Sequence, residues 1–156
     1  MEHKDSPMKT GNYKKFALML LISFGIMYSD MFLNVDKADH VYLSITRMYM
    51  TLLMVSPMAL LLLGLMKGMY RNKTWNGMIV LASISVFVLS LILLRTQTPV
   101  GDRQYLKAMI PHHSSAILTS QEAALEDPEV KSLAEEIIRS QEEEIAQMKA
   151  ILERMK

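Results

Sequence analysis

Long apolar runs dominate the first hundred positions of the chain, and apolar and polar residues then alternate at helical spacing. At about 1.5 Å per residue, an apolar helix of roughly twenty residues crosses a hydrocarbon layer of about 30 Å. The pattern predicts three transmembrane helices, at about 16–35, 41–66 and 78–94. It divides the chain into an amino-terminal segment, a membrane domain and a helical module, at residues 1–15, 16–95 and 98–156.

The first apolar run follows a basic start, as the core of a secretory signal peptide also would. It is long for a signal peptide, and no small-residue cleavage site follows it. We therefore expect this run to be retained as a membrane anchor.

The module after residue 98 has the pattern of two amphipathic helices. The first runs from about Asp102 to Glu126, and a second follows Pro128. Asp127 is a typical N-cap, and proline is favoured at the first position of a helix. Two such helices joined by a short turn form an antiparallel hairpin. The expected fold class is all-α, with three transmembrane helices followed by this hairpin.

The hairpin is small for an independent domain. Two helices bury a single seam, and about fifty-five residues are marginal without further packing. Pairing two hairpins gives a four-helix bundle, so we expect a homodimer or a higher homo-oligomer.

Charge is distributed unevenly although the net charge is only +1. Residues 98–156 carry eleven acidic against seven basic residues, whereas the amino terminus and the 67–73 loop are basic. The positive-inside rule places the basic segments in the cytoplasm and the 98–156 module outside. The expected location is a bacterial inner membrane with a periplasmic module, and the expected partners are the lipid bilayer and further copies of the chain. Nucleic acid is excluded as a partner.

Candidate chemistry centres on Met109, His112 and His113, which occupy about one turn of the first amphipathic helix. Imidazole and thioether together suit a soft or borderline metal, above all Cu(I). The chain has four histidines, fifteen methionines and no cysteine, so thiolate sites and disulfides are excluded. Alternatively, the histidines could be core residues paired with nearby glutamates. Pro111 predicts either a kink or a new helix start beside the histidines.

The antiparallel register predicts what faces these side chains. Residues equidistant from the turn lie opposite one another, which places His112 near Glu142 and Met109 near Ile145. Gln141, Glu144 and Met148 lie within one turn of these positions. The predicted copper ligands are Met109, His112, His113, Gln141, Glu144 and Met148.

Polar and sulfur-containing residues also occur within the predicted spans. Asp30 and Arg47 fall at similar depth and favour an ion pair, since intramembrane charges need partners. Alternatively, Asp30 lines an outward-facing cation mouth with Asp36, Asp39 and His40. Methionines at four-residue spacing form stripes that are either helix packing or a thioether path for Cu(I) or Ag(I). The candidates for this secondary path are Met27, Met31, His40, Met50, Met54 and Met58.

Two ordered motifs resemble a known family. The segments 109–117 (MIPHHSSAI) and 136–148 (EIIRSQEEEIAQM), with the spacing between them, are similar to the family called domain of unknown function 305. The resemblance covers roughly residues 100–154. It implies a ferritin-like helical bundle and, as in periplasmic members, copper binding through methionine and histidine. Within this family, the chain resembles the membrane-anchored branch.

The expected function is extracytoplasmic binding of Cu(I), or of Ag(I), in metal tolerance or homeostasis, with other copper-handling proteins as possible partners. The alternatives are an oligomeric metal channel that uses the methionine stripes and a structural membrane oligomer without metal. An enzyme is not expected, because ferritin-like di-iron chemistry uses Glu-x-x-His and no glutamate precedes a histidine by three residues.

Overall fold

The structure is a computed structural model that describes the backbone of residues 8–155 and the side chains of residues 11–155. Its described part contains five α-helices, one short 3₁₀ helix and no strand, which confirms the all-α fold class. The helices are α1 (Met8–Asp30), α2 (Ile45–Leu65), α3 (Lys73–Thr96), α4 (Asp102–Glu122) and α5 (Pro128–Arg154). The 3₁₀ helix (Ala38–His40) lies between α1 and α2. Of the predicted amino-terminal segment 1–15, residues 1–7 lie outside the described residues.

The chain forms two compact units. The apolar unit contains α1 as far as Ser29 together with residues 48–98. The hairpin unit contains Pro99–Lys156 together with Asp30–Arg47, a segment that the sequence pattern assigned to the other part of the chain. The helical module is therefore built from two stretches of sequence.

Two helices of the apolar unit are long and apolar enough to cross a membrane, namely α2 and α3. In the structure these helices span Ile45–Leu65 and Lys73–Thr96, whereas the predicted spans were 41–66 and 78–94. The first predicted span is not among the candidate spans. Its helix ends at Asp30 rather than Val35, so the apolar part from Phe16 onward is only about 22 Å long at ~1.5 Å per residue.

Side chains of α1 nevertheless pack against α2 and the turn that follows it. Phe16 forms a buried cluster with Ala59, Leu63 and Tyr70. The Tyr13 hydroxyl donates to Oδ1 of Asn76 at 2.7 Å. These contacts make α1 part of the same folded unit as the two apolar helices.

The two charges predicted to lie inside the spans are at helix ends. Asp30 is the last residue of α1, and Arg47 is the third residue of α2. Both helices are shorter at this end than the predicted apolar runs. Arg47 donates to the carbonyl oxygen of Met31 and lies 4.5 Å over the Phe32 ring. An Asp30–Arg47 ion pair is not among the described contacts and stays a prediction.

The two helices of the hairpin begin where predicted, at Asp102 and Pro128, whereas α4 ends at Glu122 rather than Glu126. The Asp127 carboxylate accepts from the amides of Glu129 and Val130 at 2.9 and 3.1 Å, and Pro128 opens α5. Pro111 is buried inside a continuous α4, so a new helix start at Pro111 was the wrong alternative. The buried core of the hairpin consists of Leu106, Ile110, Ile117, Ile145, Met148 and Leu152.

Candidate metal centre

The register of the hairpin brings His113 against Glu144. Nδ1 of His113 lies 2.9 Å from Oε2 of Glu144. One turn further along both helices, the same antiparallel register pairs Met109 with Met148, since the two residue numbers have the same sum. Met148 belongs to the buried core, and Met109 packs against it. The register thus places the positions of Met109 and Met148 one turn from the contact between His113 and Glu144.

The Nδ1 atom of His113 is buried, and its described polar neighbour is Oε2 of Glu144 at ion-pair distance. Burial lowers the pKa of His113 below its ordinary 6.5, the Glu144 carboxylate opposes this, and His112 adds to the decrease.

The other predicted ligands differ in accessibility. His112 is exposed, and its ring centroid lies 6.1 Å from that of His113 at an angle of 64°. Gln141 is half-buried, three residues before Glu144 on α5. The structure places His113 beside Glu144 and packs Met109 against the core cluster that contains Met148, while His112 is exposed.

Hard-metal chemistry has little support in this arrangement. Within the described residues, no group of three or more histidine, aspartate or glutamate side chains is placed to hold a metal ion. A site with few ligands of imidazole and thioether type suits Cu(I) rather than Mg²⁺ or Ca²⁺.

The segment between α1 and α2, called here the docking loop (residues 31–44), lies on the face of α4 next to the histidines. The amide of Asp36 donates to Oγ of Ser114 at 2.8 Å, and Nδ1 of His40 lies 2.9 Å from the same oxygen. Nδ2 of Asn34 donates to Oγ of Ser115 at 2.6 Å. The docking loop therefore binds the two residues that follow His113.

The docking loop also reaches α5. Nζ of Lys149 donates to Oδ2 of Asp39 at 2.5 Å, and Tyr42 packs against the hairpin core. A cavity of about 260 Å³ lies between loop and hairpin. Its lining consists of Lys37, Asp39, His40, Ile117, Glu142, Ile145, Ala146 and Lys149. The ammonium groups of the two lysines make this cavity a poor cation site.

His40 is buried, with 5% of its surface exposed. Burial is the main cause that lowers its pKa below 6.5; Lys149 and Lys37 act in the same direction, and Asp39 and Asp36 oppose them. Since Nδ1 contacts Ser114, His40 has a structural partner. The interpretation of His40 as part of a metal path therefore gains nothing from the structure.

The methionines of the apolar runs do not share one described site. Met50 and Met54 are exposed on α2 at 43% and 42%, whereas Met58 and Met27 are half-buried. Met31 lies in the turn after α1. A cavity of about 310 Å³ between α1, α2 and α3 has none of these methionines in its lining.

The role of Ser114 and the docking loop was not found by sequence reasoning. The segment 36–43 (DKADHVYL) is polar and short. Its His40 is separated from its partner, Ser114, by 74 residues of sequence. One signal was available, because a histidine and a tyrosine beside acidic residues are unusual in a minimal loop between two apolar runs.

Comparisons with known proteins found a family model and a viral relative, and the descriptions of both leave the role unassigned. Residues 89–152 match the family model described as "Domain of unknown function (DUF305)". A protein of Acanthamoeba polyphaga mimivirus, "Uncharacterized protein L153", is 36% identical over 148 residues, which are 93% of this chain and 95% of the viral protein. No solved structure matches the chain significantly.

Proposed function

The chain belongs to the DUF305 family, and from that membership and the hairpin site we propose that it is a membrane-anchored extracytoplasmic protein that binds Cu(I). The observation that carries the proposal is the hairpin register, which places the half-buried His113 one turn from Met109 and Met148 at the hairpin core. Imidazole and thioether together suit Cu(I).

The proposed ligands are Nδ1 of His113 and the thioethers of Met109 and Met148. The two methionines lie one turn from the histidine and its carboxylate neighbour, on facing sides of one seam. Glu144 offsets the positive charge of the bound ion. His112, exposed beside His113, receives the ion from solvent. Gln141 remains a peripheral candidate.

In this proposal three helices cross the membrane, although α1 is the shortest in its apolar part. Its packing with Ala59, Leu63 and Tyr70 supports its inclusion with α2 and α3. Three crossings with a cytoplasmic amino terminus place the hairpin unit outside, in the periplasm if the host is a bacterium. The proposed role is copper tolerance or handover rather than catalysis.

The proposal includes self-association through the hairpin. Val130 and Leu133 remain exposed at 45% and 55% on α5, and Tyr105 at 54% on α4. Burying such side chains between two hairpins yields a ferritin-like four-helix bundle, since each hairpin supplies two helices. The same exposed residues would also serve a purely structural oligomer, which is the alternative without metal.

A transport role finds less support than binding. The cavity between α1, α2 and α3 is lined by apolar and small residues, with Ser56 and Ser83 as its polar members. None of the stripe methionines reaches it. A metal path would have to form between copies of the chain.

The proposal is tested with the purified full chain in detergent, by competition for Cu(I) against a chromogenic chelator. We expect one tight Cu(I) site per chain. Met109→Leu and Met148→Leu keep side-chain volume but remove the sulfur, so each should weaken binding by about tenfold or more, as lost ligands do. His113→Gln should have a similar effect.

Met155→Leu is the matched control, because Met155 packs against the same core but lies away from His113 in the register. It should bind Cu(I) as the unaltered chain does. Equal Cu(I) affinity in all four variants, or no Cu(I) binding by the unaltered chain, would rule out the proposed site.

A further inference from the structure

Ser114 and His40 form a contact that positions the candidate metal ligand, and we propose that docking of the loop and Cu(I) binding are thermodynamically coupled through it. The inference rests on the proposed function, since it concerns the affinity of the same site. Ser114 is wholly buried and directly follows His113 in α4. Neither Ser114 nor His40 is a proposed ligand, and both act through His113 as positioning residues.

The hydrogen bonds of Ser114 determine the tautomer of His40. Its oxygen accepts from the Asp36 amide, and its other described partner is Nδ1 of His40. A buried hydroxyl group needs an acceptor for its own proton. Ser114 therefore donates to Nδ1 of His40, which places the histidine proton on Nε2. His40 is a specific acceptor here, and a residue that only fills space would leave the serine unsatisfied.

The contact continues from His40 to α5. Nε2 of His40 lies 3.8 Å from Oδ1 of Asp39. The other carboxylate oxygen of Asp39 accepts a hydrogen bond from Nζ of Lys149. The chain of polar groups thus runs from α4 through the docking loop to α5. It joins α4, which carries Met109 and His113, to α5, which carries Met148.

Rotation of α4 explains why this contact affects the metal site. Adjacent helical residues point about 100° apart, so fixing Ser114 toward the loop fixes His113 toward α5. The Asn34–Ser115 hydrogen bond, one residue further on, opposes the same rotation. Without the loop, α4 can turn and move the imidazole away from the methionine pair. Ligand sites lose affinity when the groups that orient their ligands are removed.

Thermodynamic linkage makes the coupling reciprocal. If the docked loop increases Cu(I) affinity, bound Cu(I) must stabilise the docked loop by the same factor. The Asp36 amide reports docking directly, because its hydrogen bond to Ser114 forms only when the loop lies on α4. Its hydrogen exchange should become slower when Cu(I) binds.

The experiment compares four variants of the full chain in detergent. Ser114→Ala removes the shared hydroxyl group, and His40→Leu removes its acceptor. His40→Asn keeps an acceptor oxygen near the position of Nδ1. Ser120→Ala is the matched control, a serine on the same helix with no described contact to the docking loop. Cu(I) affinity is measured by chelator competition, and loop docking by exchange of the Asp36 amide with and without Cu(I).

We expect Ser114→Ala and His40→Leu to weaken Cu(I) binding by about tenfold, a typical coupling factor. His40→Asn and Ser120→Ala should stay close to the unaltered chain. Cu(I) should slow exchange at Asp36 in the unaltered chain and leave it unchanged in Met109→Leu. Rescue by asparagine separates positioning from a general loss of structure, which circular dichroism also monitors.

Two results are decisive against the coupling. If the unaltered chain binds Cu(I) and Ser114→Ala and His40→Leu bind it equally well, the coupling is absent while the proposed function stands. Unchanged Asp36 exchange on Cu(I) binding has the same meaning. If the unaltered chain binds no Cu(I), the proposed function itself fails and the coupling fails with it.

Discussion

Neighbouring side chains of α4 serve different partners around His113. His113 faces Glu144 on α5, Ser114 binds the docking loop, and His112 remains exposed. Three adjacent residues therefore divide into a buried imidazole, a structural hydroxyl group and an accessible imidazole. This division gives the His-His pair an interpretation that its sequence alone did not provide: the two rings occupy different environments and cannot be equivalent ligands.

The buried His40 makes docking of the loop dependent on pH. Its pKa is lowered in the folded state, so the undocked state takes up a proton first as the pH falls through 6.5. The stability contributed by docking is therefore fully present above about pH 6.5 and decreases below it. The charged groups around His40 are Asp36, Lys37, Asp39, Glu142 and Lys149.

Hydrogen exchange of the Asp36 amide, corrected for the intrinsic rate at each pH, measures this effect without metal. Protection should decrease between about pH 7 and 5, and His40→Asn should show a smaller decrease because residue 40 no longer titrates. His113, whose pKa is also lowered, accounts for the remainder. The hydrogen bond with Lys149 lowers the pKa of Asp39 below its ordinary 3.8. The stability that this contact contributes is therefore lost only below pH 3.8, outside the range of this experiment. Equal pH dependence in both proteins would contradict the assignment.

At the scale of elements, α5 is defined by its amino terminus and its apolar stripe. Asp127 caps the first amides of the helix, and Pro128 needs no amide partner at this position. The stripe then contributes Ile145, Met148 and Leu152 to the core. Since the cap fixes where α5 begins, it also fixes which residue of α5 lies opposite His113.

Removal of the cap should destabilise the start of α5. Asp127→Ala loses two hydrogen bonds and should cost about 1 kcal/mol, within the range of about 0.5–2 kcal/mol for N-caps. The measurement is amide exchange in the first turn of α5. Ser132→Ala, an exposed position in the same helix, is the control and should leave exchange unchanged.

At the scale of the whole molecule, the proposed membrane anchor makes the side on which the hairpin unit lies depend on the number of crossings. The apolar pattern predicts three spans, whereas only α2 and α3 are long and apolar enough in the described structure. An odd number of crossings places α1's start and the hairpin on opposite sides of the membrane. An even number places them on the same side.

Because the chain has no cysteine, single introduced thiols report this arrangement without background. Three substitutions mark three places in the chain: Lys14→Cys marks the first part of α1, Lys67→Cys the turn after α2, and Glu135→Cys helix α5. With a membrane-impermeant maleimide on intact cells, we expect labelling at position 135 only, and labelling at 14 and 67 after permeabilisation. Labelling of 14 and 135 from the same side would contradict three spans.

Local signals made the hairpin predictable. The three-and-four spacing, the Asp127-Pro128 start and equidistance from the turn gave both helices and a register within one turn of the observed one. The ends of the apolar helices were less predictable, because apolar residues continue past Asp30 and precede Ile45 without belonging to a helix. Apolarity alone does not specify where a helix begins or ends.

The docking loop was not predictable for a different reason. Its hydrogen bonds join residues separated by 74 to 110 positions, and no periodicity connects them. The family model also begins only at residue 89, after the loop. His113 and Glu144 could be named from the sequence, but the role of Ser114 was found only from three-dimensional contacts.

The hairpin unit is discontinuous in sequence, because most of α2 and all of α3 lie between its two segments. Residues 99–156 produced alone would lack the docking loop. Ser114 would lose its hydrogen bond with the Asp36 amide, and the hairpin core would lose its packing with Tyr42. A soluble version of the unit would need residues 30–47 joined to the hairpin, as in a circular permutation. Gene fusion or duplication of the carboxy-terminal part alone would therefore transfer the histidines and methionines without the segment that holds them in place.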